Sequence, residues 1–341
     1  MAIFMRGFGK LIKIVITIAY TVLIVSSCSD NTEFHAHVSD VTTEQNTQSD
    51  EISSENNEYF QQSVSILFFS DTQADPATGD YTAVGNLIEQ AVSRHGDPDV
   101  VIFGGDTVND GGDIAEWSLL MDLIRLPLQG VTTAAVPGNH DIYLLLSEQF
   151  EHPTIYNINE RNGYFYSFLV DSVLIIMLDS NHMGAANPED IEWLSNELET
   201  ESAQKAKWII AVMHHPMWSV TENPRDIQRA STMRENFLPL LVENHVSLIL
   251  CGHQHMYSRT MPMSSDSSSN DMDGGDNDIA QIMVASGDKS YYSSAEYEYV
   301  VETADAPNYA LMSISDDALS VIVYGVDGQI IDSFSIIKTI S

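Results

Sequence analysis

The sequence predicts an α/β fold of two stacked β-sheets with helices outside them, and three observations carry that reading. Short apolar runs alternate with amphipathic stretches from Ile66 to Cys251, a hairpin-like segment occupies 164–179, and the C-terminal stretch reads as several further strands. The runs Ile66–Phe69, Val100–Phe103, Ala134–Val136, Ile209–Met213 and Leu248–Cys251 are almost unbroken in their apolar character, as strands covered on both faces should be. Between them, Tyr81–His95, Ile114–Ile124, Pro188–Leu198 and Thr232–Asn244 carry the spacing of amphipathic helices. In 164–179 a turn at Asp171-Ser172 separates two apolar arms.

Each of the five runs is followed at once by residues of a different chemistry. These are Asp71-Thr72-Gln73, Gly105-Asp106, Gly138-Asn139-His140-Asp141, His214 and Gly252-His253-Gln254-His255. Sites on open α/β sheets form outside the carboxyl ends of the strands, so five such ends can gather ligands that lie far apart in sequence. A mixed Asp, Asn and His set suits transition metals, Mn, Fe or Zn above all, better than it suits Ca or Mg. A carboxylate can bridge two such ions, and the pair can hold a hydroxide drawn from water near neutral pH. Asp106, which follows two glycines that permit close backbone approach, is the natural bridge.

The order and spacing of these segments resemble the calcineurin-like metallophosphoesterase superfamily over essentially the whole of 63–341, with a more distant likeness to purple acid phosphatases. The resemblance implies a four-layer α/β/β/α sandwich with two mixed sheets. It implies two divalent metal ions, one held by Asp71, Asp106 and His255, the other by Asp106, Asn139, His214 and His253. Gln73 stands where the family usually has a histidine; its amide oxygen is expected to ligate as a neutral donor that favours harder metals, or to hold a metal-bound water. Asn109 stands where purple acid phosphatases carry a tyrosine ligand, so iron–tyrosinate chemistry is not expected. The resemblance casts His140 as proton donor to the leaving oxygen, with Asp141 orienting and charging it. His215 is expected to point away from His214, because neighbours on a strand face opposite sides. Trp218, Tyr143, Tyr257 and Arg259 are expected on loops at the pocket wall, and Asn139, His140, Tyr257 and Arg259 are the candidates for substrate contact.

The implied activity is hydrolysis of a small-molecule phosphate ester. A phosphomonoesterase is favoured over a cyclic-nucleotide or lipid-headgroup phosphodiesterase, and both over a non-catalytic envelope binding protein, which would not need an intact ligand set. Residues 1–27 read as a lipoprotein signal: Arg6, Lys10 and Lys13 precede an apolar stretch from Ile14 to Val25, and Val25-Ser26-Ser27-Cys28 resembles a bacterial lipobox. Residues 28–62, with no Lys or Arg, read as a disordered acidic tether. These features predict attachment to the bacterial cell envelope through a lipid on Cys28. A net charge of −35 excludes nucleic-acid binding by a basic face. Cys251 reads as a small buried hydrophobe, and the acidic insertion 264–278, which lacks EF-hand spacing, as a solvated loop.

Overall fold

The computed structural model describes residues 63–150, 159–161, 165–264, 278–289 and 296–338. All belong to one unit, Glu58–Ser341, whereas the other, Met1–Asn57, lies outside them. The signal, the tether and most of the acidic insertion are therefore outside the described residues.

In chain order the elements are β1 (Val64–Phe69), α1 (Thr82–His95), β2 (Val100–Phe103), α2 (Ile114–Ile124), β3 (Thr132–Ala135), α3 (Tyr143–Gln149), β4 (Asn159–Arg161), β5 (Phe165–Val170) and β6 (Val173–Leu178). They continue with α4 (Ser180–Met183), α5 (Pro188–Leu198), α6 (Glu201–Lys205), β7 (Trp208–Met213), α7 (Pro224–Asn236), α8 (Leu238–Glu243) and β8 (Leu248–Cys251). The chain closes with β9 (Met256–Thr260), β10 (Ala280–Met283), β11 (Val300–Asp305), β12 (Asn308–Ile314), β13 (Ala318–Gly325) and β14 (Ile330–Ile337).

Two mixed sheets result, ordered β14-β13-β12-β1-β2-β3 and β11-β9-β10-β8-β7-β6-β5-β4. In the first, β1, β2 and β3 run parallel; in the second, β6, β7, β8 and β10 do. Alternation along the strands builds the layers. Ile66, Phe68, Val100 and Ile102 meet Ile210, Val212, Leu248 and Leu250 between the sheets. The intervening residues Leu67, Phe69, Val101 and Phe103 pack outward on Leu87 and Ile88 of α1 and Trp117 and Leu120 of α2. Likewise Ile209, Ala211, Ile249 and Cys251 pack outward with Leu194, Met233 and Leu241. The order helix, sheet, sheet, helix is the four-layer sandwich.

The hairpin is present, with β5 and β6 antiparallel around Asp171 at φ 52°. The helix expected at Thr232–Asn244 is instead two. Asn223 caps α7 by accepting from Arg225 N, Pro224 sits in its first turn, and the helix stops at Asn236. A break at Phe237 and a new start at Leu238 follow, because Pro239 lacks the N–H that continuation would require. Among the described residues no helix is long and apolar enough to cross a membrane.

Candidate metal centre

The carboxyl ends of β1, β2 and β3 in one sheet and of β7 and β8 in the other converge. Asp71, Asp106 and His214 bring one potential ligand atom each within 4.8 Å of one another, and so do His214, His215 and His253. This proximity needs glycine. A Cβ on Gly138 would sit 2.2 Å from the backbone nitrogen of Asp106, and one on Gly252 2.1 Å from Oδ2 of Asp71. Asp71, Asp106, His253 and His255 themselves have φ of 50°, 50°, 79° and 52°, left-handed backbone of the kind held only where the surroundings dictate it.

Asp71 is fully buried. It accepts from Ser70 Oγ at 2.8 Å and from the amide of His253 at 2.8 and 3.0 Å. Burial lifts its carboxyl to about 7, with the charge of Asp106 adding to the effect against the pull of His214. Asp106 is buried too, yet His214 and the amide of His140, which donates to its Oδ1 at 2.8 Å, hold it well below the usual carboxylate range. His214 loses basicity to burial, but Asp106 and Asp71 more than offset that and raise it to about 9.

Each of three histidines has one ring nitrogen tied from outside. His214 Nδ1–H donates to the Gly104 carbonyl at 2.9 Å, His255 Nδ1–H to the Lys289 carbonyl at 2.9 Å, and His253 Nε2–H to Asp226 Oδ1 at 3.1 Å. These partners fix the tautomers and turn the opposite nitrogens inward. His214 Nε2 lies 3.3 Å from Asp106 Oδ2, near enough for attraction but without hydrogen-bond geometry; it and His253 Nδ1 are buried and have no hydrogen-bond partner. His255 Nε2 lies 3.6 Å from Asp71 Oδ1. Two desolvated carboxylates facing unpartnered imidazole nitrogens form a donor set that fits divalent transition ions.

Several expectations need correction. Gln73 Oε1 accepts from Lys289 Nζ at 2.7 Å, so the amide oxygen expected to ligate is engaged by an ammonium. Asp141 does not orient His140: its two carboxylate oxygens accept from Thr107 N at 3.0 Å and Gly138 N at 2.9 Å, tying the loops after β2 and β3 together. Burial and Asp106 raise its carboxyl to about 6. His140 is held instead by the Asn109 carbonyl, 2.6 Å from Nδ1. His215 does not point away. The strand ends at Met213, so alternation no longer applies, and the His215 ring lies 4.9 Å from that of His214 and 4.3 Å from that of His253.

Tyr257 and Arg259 are not on a loop. The chain re-enters a strand at Met256, and between the sheets Tyr257 Oη and Arg259 Nε both donate to Asp332 Oδ2 at 2.6 Å. Trp218 is buried in the outer core. Asn139 is exposed on the rim of the loop after β3, and Tyr143 begins α3, half-buried. Asn109 donates through Nδ2 to the Ala74 carbonyl at 2.7 Å.

Asn181, which the sequence places near the mouth of the site, donates through Nδ2 to the Gly138 carbonyl at 3.1 Å. Three supporting residues escaped the sequence reading: Ser70, Asp226 and Lys289. Only Ser70, next to Asp71, has a local signal. Asp226 lies in the first turn of α7, where an acid is already explained by the helix dipole.

Residues 64–257 match the family model for calcineurin-like phosphoesterases. The chain is 29% identical over 175 residues to "Probable purple acid phosphatase 20" of Arabidopsis thaliana, covering 48% of this chain and 40% of that protein. It is 28% identical over 183 residues to "Probable cyclic nucleotide phosphodiesterase" of Moraxella catarrhalis, covering 50% of this chain and 63% of that one. The chain thus spans less than two thirds of the length of either relative. A purple acid phosphatase from yellow lupin (Lupinus luteus) shares the fold with a TM-score of 0.68 at 19% identity, covering 81% of this chain and 54% of that one. The matched range takes in Asp71, Asp106, His214 and His253, and the chain belongs to the calcineurin-like phosphoesterase family.

Proposed function

We propose that the chain is a metal-dependent phosphoester hydrolase with a dinuclear centre, and one observation carries the reading: Asp71, Asp106 and His214 meet within 4.8 Å, with His214 Nε2 and His253 Nδ1 unpartnered beside them. Asp71, Asp106 and His255 would hold one ion, and Asp106, His214 and His253 the other, with Asn139 reaching it from the rim. Bound ions of this kind supply Lewis acidity and lower the pKa of water.

The chain's own residues do the rest. Asp106, capped by the His140 amide, holds its carboxylate fixed between the two halves of the site. His140, with Nδ1–H committed to the Asn109 carbonyl, presents Nε2, which when protonated gives its proton to the departing alkoxide. His215 has Nδ1 held by Ser180 Oγ at 2.8 Å, which leaves Nε2 for the crevice, where it donates to a phosphoryl oxygen.

A phosphomonoester is the favoured substrate, consistent with the purple acid phosphatase relative and with a lipid-anchored enzyme that releases phosphate at the envelope. The Moraxella relative supports a second reading, a phosphodiesterase. Metal-reconstituted protein assayed on chromogenic mono- and diesters separates the two. Turnover should require Mn, Fe or Zn, and full activity after dialysis against excess chelator would sink the hydrolase reading. We likewise place the chain at the bacterial envelope through Cys28, which lies outside the described residues; membrane retention of a signal-cleaved Cys28→Ala variant would contradict this.

A further inference from the structure

At the position where the family resemblance leads one to expect a histidine ligand stands Gln73, with no solvent exposure. Lys289 Nζ donates to its Oε1 at 2.7 Å. An ammonium has protons to give and no lone pair, so the amide atom facing it must be the oxygen; the amide orientation is settled by chemistry. Oε1 thus offers a metal only the second lone pair of a neutral oxygen that already accepts from an ammonium, while Nε2 is a buried donor without a hydrogen-bond partner and cannot ligate a cation.

The lysine is held in place by the same turn. Its carbonyl accepts from His255 Nδ1 at 2.9 Å, so the residue that orients one candidate ligand also delivers a positive charge beside another. Two residues earlier the Gly287 amide donates to the Asp71 carbonyl at 2.9 Å, and a Cβ there would lie 2.3 Å from the Gln73 carbonyl oxygen. The turn 286–289 thus packs directly on the backbone of 71–73 and brings Lys289 to Gln73.

The two halves of the centre consequently differ. One has Asp106, His214 and His253, with Asn139 on the rim. The other has Asp71, Asp106 and His255, and its fourth side chain is an amide capped by an ammonium. Asn109, where a tyrosine would otherwise contribute to this half, is committed to the Ala74 carbonyl at 2.7 Å.

We propose that the Lys289–Gln73 pair makes the two metal positions unequal, so that the His214/His253 position fills tightly and the Asp71/His255 position fills only at higher metal concentration. The inference rests on the metallohydrolase reading and goes beyond it by naming the residues that set the order of filling. A fixed ammonium repels an incoming divalent ion, and an amide oxygen that already accepts from that ammonium is a weaker donor with which to overcome the repulsion.

Equilibrium dialysis of the full chain against Mn2+ alone, with bound metal counted by mass spectrometry, tests it without any assay of activity. One equivalent should bind in a first step and a second at free metal at least about tenfold higher, the scale of losing one supporting partner. Lys289→Met and Gln73→His should each move the second step toward the first by about tenfold. Asp71→Asn should remove the second step and spare the first, which separates it from diffuse binding to the acidic surface. Two equivalents taken up in a single step by the unaltered chain would overturn the proposal, as would a second step that neither Lys289→Met nor Gln73→His moves. Either result leaves the hydrolase reading standing; failure to bind any Mn2+ would sink both.

Discussion

Asp226 Oδ1 lies 3.1 Å from Nε2 of His253, and this contact decides which nitrogen of that imidazole faces the centre. Asp226 is itself fixed: its Oδ2 accepts from Gln254 Nε2 at 3.3 Å and Thr221 Oγ1 at 3.4 Å. Gln254 in turn accepts from the Val220 amide at 2.8 Å. The start of α7, the loop before it and the Gly-His-Gln-His segment thus form one hydrogen-bonded unit. Removing the carboxylate frees the ring to change tautomer. Asp226→Ala should lower metal affinity about 10- to 100-fold, with Asp226→Asn, which still offers an acceptor oxygen, in between. Calorimetric titration with Mn2+ checks this, and affinity unchanged in Asp226→Ala would mean that packing alone orients His253.

His140 gives a prediction that depends on the leaving group. Its amide supports Asp106 through the backbone, which survives substitution, whereas its ring is held, among the described residues, by the Asn109 carbonyl. His140→Ala should keep its metal and lose about 10²–10⁴ in kcat for alkyl phosphates, but far less for nitrophenyl esters, whose leaving group needs no proton. Comparable losses on both substrates would reassign His140 from acid catalysis to phosphate binding.

Proton and metal compete for the same atoms. Burial lifts Asp71 to about 7, so the folded metal-free chain keeps a proton that the unfolded chain releases near the ordinary value of 3.8. A raised carboxyl pKa favours the fold in acid, and that contribution fades as pH climbs from about 4 to about 7. His214, despite the opposing effect of burial, is lifted to about 9 by Asp106 and Asp71 and must also surrender its proton to a metal. Apparent metal affinity should therefore rise steadily from pH 5.5 to 8.5, with roughly one to two protons released per centre at pH 6. Calorimetry in buffers of different ionisation enthalpy measures the release, and an affinity flat over that range would contradict it.

The strand ends were legible because apolar runs buried on both faces carry no polar residue of their own, so each ligand stands out directly after one. The contacts that tune those ligands were not. Asp226 reaches His253 across 27 positions and Lys289 reaches Gln73 across 216, separations at which neither periodicity nor spacing signals anything. Where the expectations failed, they misjudged where a strand stops or resumes. His215 was assigned the far face by an alternation that ends at Met213, and Tyr257 and Arg259 were assigned to a loop although β9 begins at Met256. Asp141 was paired with its sequence neighbour, but the carboxylate satisfies two backbone amides of the adjoining loops instead.

The cost of close approach at the centre can be tested at Gly138. Its Cα is packed so tightly that an added methyl would fall 2.2 Å from both the backbone nitrogen and Oδ1 of Asp106. Gly138→Ala must push the loop after β3 off the loop after β2, breaking the amide contact to Asp141. A loss of about 1–3 kcal/mol in stability is expected, as for other overpacked sites, together with weaker metal binding. Gly130→Ala provides the contrast: nothing lies within 4 Å of a Cβ there, although φ of 85° adds backbone strain. Destabilisation without weaker metal binding in Gly138→Ala would show that the two loops can separate without disturbing Asp106.

The network around Asp332 separates structural from substrate roles. Asp332 on β14 accepts from both Tyr257 and Arg259 of β9, and the Arg259 guanidinium also lies 4.8 Å from the centre of the Phe334 ring. The three polar groups link the two sheets across their shared core. Arg259→Ala leaves Asp332 with the tyrosine hydroxyl and should cost about 1–3 kcal/mol of stability, read as a shift in the denaturant midpoint. KM and kcat should change little in the same variant, because the guanidinium is spent on Asp332 and Phe334. A large rise in KM without destabilisation would return Arg259 to the substrate pocket, where the sequence had suggested it belonged.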